Sequence, residues 1–306
     1  FHGLHVDQRE IRPGVFGDYV VDGPDAGIAP GATRYHEIHL PDDHSCGIYW
    51  YHPHLHGATN AQVSSGMFGA IIVADAQDPF RASVNMRERV LFAHKLTVNA
   101  KGRTDTLEDS MQNPAGAFLL NGAYQPTIVM RPGEVQRWRL VGSQYQDDFF
   151  LELEKHNLNV IAYDGIPLRS MQELKTLLFA PGQRADILIQ AGAPGTYKFR
   201  ALPYDQGHPS PVGPLARLVV SGDPLPMKLP AALPKPPFED VKDSEITGRR
   251  TVTFSATSPE ADAAGHWQEF SFLVDGKGVR PIDCSDCDLP YYRNLRADIF
   301  ARTETA

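Results

Sequence analysis

Cysteine is scarce in this 306-residue chain, and the three that occur cannot form a disulfide framework. Cys46 stands alone, far from Cys284 and Cys287, which form a CxxC pair. A zinc site built on CxxC normally needs a second pair of ligands, and none accompanies this one. We therefore expect no metal or redox role for Cys284 and Cys287.

Basic clusters and long apolar runs are also missing. The net charge is −8, which argues against nucleic acid as the main partner. No apolar run reaches the roughly 18 residues of a membrane span, so we expect no such span. No stretch of useful length has a helical period, whereas 26 glycines and 25 prolines indicate many turns. The composition predicts an all-β chain of about two domains or slightly more.

Histidine, by contrast, is concentrated in one stretch. Residues 49–57 read Tyr-Trp-Tyr-His-Pro-His-Leu-His-Gly, with histidines at 52, 54 and 56. In an extended strand, alternate side chains share a face about 6.5–7 Å apart. That spacing is wide for two ligands of one ion and suits two neighbouring ions. Imidazole binds zinc, copper, iron and nickel, so the spacing alone does not choose the metal.

Alternating apolar residues predict strands on both sides of this stretch. In the first 80 residues we expect strands over 35–40, 48–56 and 69–73. Further strands are expected over 89–93, 196–199 and 216–220. Hairpins are predicted over 127–139, 149–163 and 174–190, the first and last around Pro-Gly turns.

An internal sequence repeat predicts a duplicated unit. After Ala29-Pro30-Gly31 come a strand, a Gly-x-Tyr motif and the strand at 69–73. After Ala180-Pro181-Gly182 the same three features follow in the same order, ending with the strand at 216–220. Two copies of one sandwich explain this repeat, and only the first copy carries the alternating histidines.

The end of the chain has a different character. Residues 223–237 hold six prolines, which predicts a semi-rigid extended linker. Strands are expected over 249–256 and 270–274, but residues 281–306 cannot complete a sandwich of about 100 residues. We therefore predict four parts, the last incomplete: a first domain 1–78, a second domain 85–222, a linker 223–245 and the start of a third domain 246–306.

Six motifs, taken together, point to one protein family. Those of the first domain are Phe1–Val6, Tyr49–Gly57 and Gly66–Val73; those of the second and third domains are Leu120–Gly122, Arg131–Arg139 and Phe272–Lys277. In these motifs the chain resembles the multicopper oxidase family, which includes the laccases. The resemblance implies tandem cupredoxin-like Greek-key β-sandwiches that hold four coppers. A type 1 copper takes electrons from the substrate, and a trinuclear cluster reduces oxygen to water.

The resemblance also assigns roles to single residues. His2, His52 and His54 match type 3 copper ligands, and Asp22 resembles an acidic residue that helps proton delivery to oxygen, although a plain turn role is an equal alternative. His5 and His56 match no ligand. The remaining nearby histidines, expected to be surface residues, are His36, His39 and His44.

Other family motifs are missing. A type 2 ligand would stand just before Phe1, and no cysteine lies between two histidines as the type 1 site requires. We therefore expect a fragment of a longer oxidase that is not competent alone. The whole protein would oxidise a phenol, an aromatic amine or a metal ion with oxygen, in the periplasm or as a secreted protein.

Two interpretations from other classes remain open. One is a non-catalytic cupredoxin-like module that binds copper. The other is a zinc hydrolase that uses the His-x-His-x-His run, although such enzymes have an αβ fold. Metal analysis separates copper from zinc, and oxygen consumption separates an oxidase from a binding module.

Overall fold

A computed structural model describes most of the chain. The described residues are 1–6, 10–12, 15–16, 27–55, 58–74, 86–98, 116–144, 147–206, 210, 212–233, 235–236, 239, 241–248, 250–256, 272–274 and 277–279. The chain divides into two compact units, and the larger comprises Phe1–Val20, Thr33–His54 and Ala58–Pro237.

Almost all regular structure is β, which confirms the predicted all-β class. The strands are β1 Glu10–Arg12, β2 Val15–Phe16, β3 Gly47–Tyr51, β4 Gly69–Val73, β5 Arg87–Leu96, β6 Ala117–Leu120, β7 Ala123–Tyr124, β8 Thr127–Met130, β9 Val135–Gly142, β10 Phe149–Leu153, β11 Leu158–Tyr163, β12 Ile166–Leu174, β13 Thr176–Phe179, β14 Arg184–Gln190, β15 Gly195–Leu202, β16 Gly213–Val220, β17 Phe254–Ala256, β18 Phe272–Val274 and β19 Lys277–Val279. In the described residues, the helices are α1 Thr59–Ser64 and a 3-10 turn Asp243–Glu245. None of them is long and apolar enough to span a bilayer.

Two sheets form a sandwich between residues 87 and 220. One has the order β12-β11-β14-β9-β5-β6-β7 and the other the order β13-β10-β15-β16-β8. Along β10, buried apolar residues alternate with more exposed ones, as in a half-buried strand, whereas β9 is buried along its whole length. Trp138 and Phe199 meet at the centre with ring centroids 5.7 Å apart. This core holds the sandwich together and gives the rest of the unit a rigid base.

The three predicted hairpins are wrong, although their strands exist. Each pair, β8–β9, β10–β11 and β13–β14, has one strand in the five-stranded sheet and the next in the seven-stranded sheet. The Pro-Gly turns therefore pass from one sheet to the other. At both turns the glycine takes a positive φ, 80° at Gly133 and 79° at Gly182. Alternation predicts a strand and a Pro-Gly predicts a turn, but neither identifies the pairing partner.

Two of the strands predicted near the histidines also differ from the structure. Residues 33–40 form no strand, and Tyr35 is 94% exposed. β3 ends at Tyr51, so His52 and His54 follow the strand instead of lying in it. Pro53 has no N–H for a ladder, which explains the early end.

The proline-rich segment packs on the sandwich. Leu225 and Met227 donate backbone hydrogen bonds of 2.8 and 3.0 Å to Pro132 and Gly133. Met227, with Leu229 and Leu233, covers the outer face of the seven-stranded sheet. The role of the proline-rich segment as a linker between domains stays a prediction. In the smaller unit, β17, β18 and β19 form an antiparallel sheet.

Candidate metal centre

The N-terminal segment, residues 1–6, lies beside β3. The His2 N–H donates to the carbonyl oxygen of Trp50 at 2.7 Å, and the Trp50 N–H donates back to His2 at 3.5 Å. The rings of Trp50 and His52 lie 4.4 Å apart, so this pairing also places His2 next to His52. Two predicted ligands that are 50 positions apart in sequence are thus neighbours.

Two ring nitrogens of this pair face each other. His2 Nδ1 lies 3.4 Å from His52 Nε2, and the ring centroids are 5.6 Å apart. The other nitrogen of His52, Nδ1, lies 2.9 Å from the carbonyl oxygen of Pro53. A carbonyl oxygen only accepts, so Nδ1 carries the proton and Nε2 carries the lone pair. The Pro53 carbonyl therefore fixes the tautomer that directs a lone pair toward His2.

The third predicted ligand, His54, lies next to His52. Its ring centroid is 6.1 Å from that of His52, close to the spacing expected from the sequence, and its side chain is exposed. In the part of the chain that the structure describes, no group of three or more His, Cys, Asp or Glu side chains could hold a metal ion. The structure thus brings two predicted ligands together and places the third beside them.

The indole of Trp50 packs against both imidazoles. Its ring lies 5.0 Å from His2 in a stacked arrangement and 4.4 Å from His52. Trp50 is only 3% exposed, because Ile48, Phe92 and other apolar residues pack around it. The indole therefore shields one side of the histidine pair from water.

Burial keeps both imidazoles neutral at neutral pH. It lowers the pKa of His2 to about 4, with a further lowering by the positive charge of Arg184 and by His52. Burial also lowers the pKa of His52, against a smaller opposite effect of the hydrogen bond to Pro53. A neutral imidazole is the form that binds a metal ion.

Other histidines have roles that need no metal. His44 Nδ1 donates to the Ser45 carbonyl at 2.8 Å, and its Nε2 accepts from the His5 N–H at 3.0 Å. Both nitrogens of His44 are therefore engaged within the protein. His39 is exposed and lies 2.7 Å from Glu37. Asp22, His56, Cys284 and Cys287 lie outside the described residues, so the predictions for them stay predictions.

Sequence reasoning missed His94. It is 2% exposed, with Nε2 2.9 Å from the Ser64 carbonyl and Nδ1 3.3 Å from the Ser143 carbonyl. Burial lowers its pKa. The ring joins the end of α1 to the end of β9. A lone histidine in a strand carries no sequence signal for such a role.

Known proteins similar to this chain are copper oxidases. An iron transport multicopper oxidase of Saccharomyces cerevisiae is 29% identical over 182 residues, 56% of this chain and 28% of that protein. A laccase of Podospora anserina is 27% identical over 217 residues, 66% of this chain and 32% of that protein. The chain thus spans about a third of the length of these relatives.

Solved structures show the same fold. The McoA multicopper oxidase of Aquifex aeolicus matches with a TM-score of 0.65 and 19% identity, over 94% of this chain and 62% of that chain. A multicopper oxidase of Campylobacter jejuni, described as a metallo-oxidase, matches with a TM-score of 0.63 and 23% identity, over 79% and 49% of the two chains.

Two family models match consecutive parts of the chain. One multicopper oxidase model matches residues 1–78 and a second matches residues 78–221. Together they cover both the histidine pair and the sandwich beside it. This chain belongs to the multicopper oxidase family.

Proposed function

We propose that this chain is part of an oxidase that couples one-electron oxidation of a small reducing substrate to reduction of oxygen to water. The substrate class is a phenol, an aromatic amine or a low-valent metal ion. Within that oxidase, His2, His52 and His54 contribute ligands to a type 3 copper pair, and Asp22 assists proton delivery. We also propose a periplasmic or secreted location, where copper and oxygen chemistry is usually kept.

The observation that carries the proposal is the facing pair of nitrogens. A separation of 3.4 Å between His2 Nδ1 and His52 Nε2 leaves room for one ion at an ordinary metal–nitrogen distance of about 2.0–2.1 Å from each. At 3.4 Å the contact is longer than a typical hydrogen bond of about 2.9 Å, so little is lost when an ion replaces the shared proton. The donor set therefore fits copper.

The chain's own residues prepare this pair for an ion. The Pro53 carbonyl holds the His52 tautomer, as second-shell partners of metal-binding histidines do. The Trp50 ring holds both imidazoles in place and limits access of water. When bound, copper supplies one-electron redox chemistry, and imidazole suits copper as a ligand.

Site-resolved copper titration tests the proposal. Cu(I) is diamagnetic, so long-range ¹H–¹⁵N NMR of the imidazoles can follow each histidine as Cu(I) is added without oxygen. We expect the His2 Nδ1 and His52 Nε2 signals to shift together, and His52→Ala to abolish the His2 shift.

The matched control is His39→Ala, which removes an exposed histidine and should leave the titration unchanged. Equal losses from His52→Ala and His39→Ala would mean non-specific binding and would refute the assignment. Zinc, instead of copper, in chain purified from cells supplied with both metals would favour the hydrolase interpretation.

A further inference from the structure

We propose that Arg184 and Gly182, which lie on the sandwich and carry no ligand atoms themselves, are positioning residues that hold His2 against His52. This inference rests on the proposed copper site. It assigns the second part of the chain a direct role in building a site whose ligands in this chain are proposed to lie in the first part.

Arg184 is a fixed support because its guanidinium is buried and surrounded by acceptors. Its side chain is only 5% exposed. Nη1 donates to the Gly182 carbonyl at 3.2 Å and also pairs with the Asp164 carboxylate at 3.2 Å. Nη2 donates to the Asp164 carbonyl at 3.0 Å. These contacts come from two loops of the sandwich, so the guanidinium has little freedom to move.

The same guanidinium contacts both segments that carry the histidines. Nε donates to the carbonyl oxygen of Ile48 on β3 at 3.3 Å. On the other segment, the backbone of Gly3 lies so close that a Cβ there would stand 2.1 Å from Nη2. Gly3 directly follows His2, and Ile48 lies on the strand that leads to His52. Arg184 therefore fixes the distance between the two segments.

Gly182 contacts the His2 ring itself. A Cβ at this position would lie 2.7 Å from His2 Cε1 and 3.2 Å from its Nε2. The imidazole thus lies against Gly182 with Cε1 and Nε2 nearest to it. Any side chain here would push His2 from its present place.

The residues around Arg184 and Gly182 are closely packed, so the position of these two residues determines where the segments that carry His2 and His52 lie. A Cβ at Gly47, the first residue of β3, would lie 2.7 Å from Gly165 Cα in the loop before β12. Tyr49 is fully buried, and Arg184 lies 5.7 Å from its ring centroid. At Gly47 and Gly165 backbone meets backbone, so the segment has little room to shift at this point.

Substitution of Arg184 by lysine tests the role of the guanidinium. Arg184→Lys keeps the charge but loses the planar fork that reaches several acceptors at once. The matched control is Arg200→Lys, which changes an arginine paired with Glu152 on the five-stranded sheet. The amide NMR spectrum of each variant reports whether the fold is retained.

In the folded Arg184→Lys variant we expect the His2 Nδ1 shift to need about 10–100 times more Cu(I), the usual loss for a second-shell change. The His52 signal should still respond. Equal Cu(I) dependence of His2 in Arg184→Lys and wild type would overturn the inference, as would an equal loss in Arg200→Lys.

A glycine pair keeps the test decisive if the lysine variant does not fold. Gly182→Ala and Gly31→Ala introduce the same strain, at φ of 79° and 81° in the same Ala-Pro-Gly sequence. Only Gly182 has a neighbour, since nothing lies within 4 Å of a Cβ at Gly31. We expect Gly182→Ala alone to lose the His2 shift, and identical behaviour of the two would refute the inference.

The outcome also separates this inference from the proposed function. If wild type shows no coupled shift of His2 and His52, the copper site itself is wrong. If wild type shows it and the variants do too, the site stands and only the positioning role fails.

Discussion

Acid should destabilise the metal-free chain through His2. The folded pKa of His2 is about 4 against 6.5 for the free side chain. Well above pH 6.5 the His2 side chain is neutral in both the folded and the unfolded chain, so its contribution to stability does not change with pH. Between pH 6.5 and 4 the unfolded chain gains a proton that the folded chain does not, so stability falls with falling pH. The loss from pH 7 to pH 5 is at most about 2 kcal/mol for this group alone, because solvent partly screens the half-buried ring.

Urea unfolding at pH 7 and pH 5 measures this effect. His2→Gln cannot titrate, so its loss of unfolding free energy between the two pH values should be smaller than that of wild type, by up to about 2 kcal/mol. The lowered pKa values of His52 and His94 leave a remaining loss in the same direction. An equal loss in His2→Gln and wild type would refute the reasoning that His2 is buried and neutral.

Three further predictions concern docking, a buried ion pair and the missing type 1 site. Gly47→Ala should lower the free energy of unfolding by about 1–3 kcal/mol in chemical denaturation, because its Cβ would meet Gly165 Cα. Gly248→Ala should leave that free energy unchanged, because nothing lies within 4 Å of a Cβ there. Lys95→Met should lower the free energy of unfolding by up to about 3–5 kcal/mol in the same assay, because the buried Asp147 carboxylate loses its 2.9 Å ion pair with the ammonium; no change would contradict this. The copper-loaded 306-residue chain should show no absorption near 600 nm, roughly where copper–thiolate sites absorb, and no oxygen uptake with a phenol. The reason is that the chain has no His-Cys-His motif for a type 1 site. Sustained uptake that requires the histidine pair would contradict the last of these.

Local chemistry explains what the sequence could predict. The alternation of apolar residues gave the strands, and the Pro-Gly pairs gave the turns at Gly133 and Gly182. The resemblance assigned His2 and His52 to one site, and the structure places their rings side by side. These features depend on neighbours in sequence or on a motif of adjacent residues, and both are visible in the chain itself.

Contacts between distant segments explain what it could not predict. Arg184 carries no pattern that connects it to Gly3, and nothing around His94 marks its two carbonyl partners. The strand predicted over 35–40 fails for the same reason, because alternation shows a suitable surface and not a partner. Which sheet a strand joins is likewise decided by packing across the sandwich.

Anomalous diffraction at the copper edge, from crystals of the chain loaded with Cu(I), tests most directly whether His2 and His52 share an ion. We predict a peak about 2.0–2.1 Å from both His2 Nδ1 and His52 Nε2, beside the indole of Trp50. A copper peak at exposed histidines such as His39, with none between His2 and His52, would contradict the proposed site.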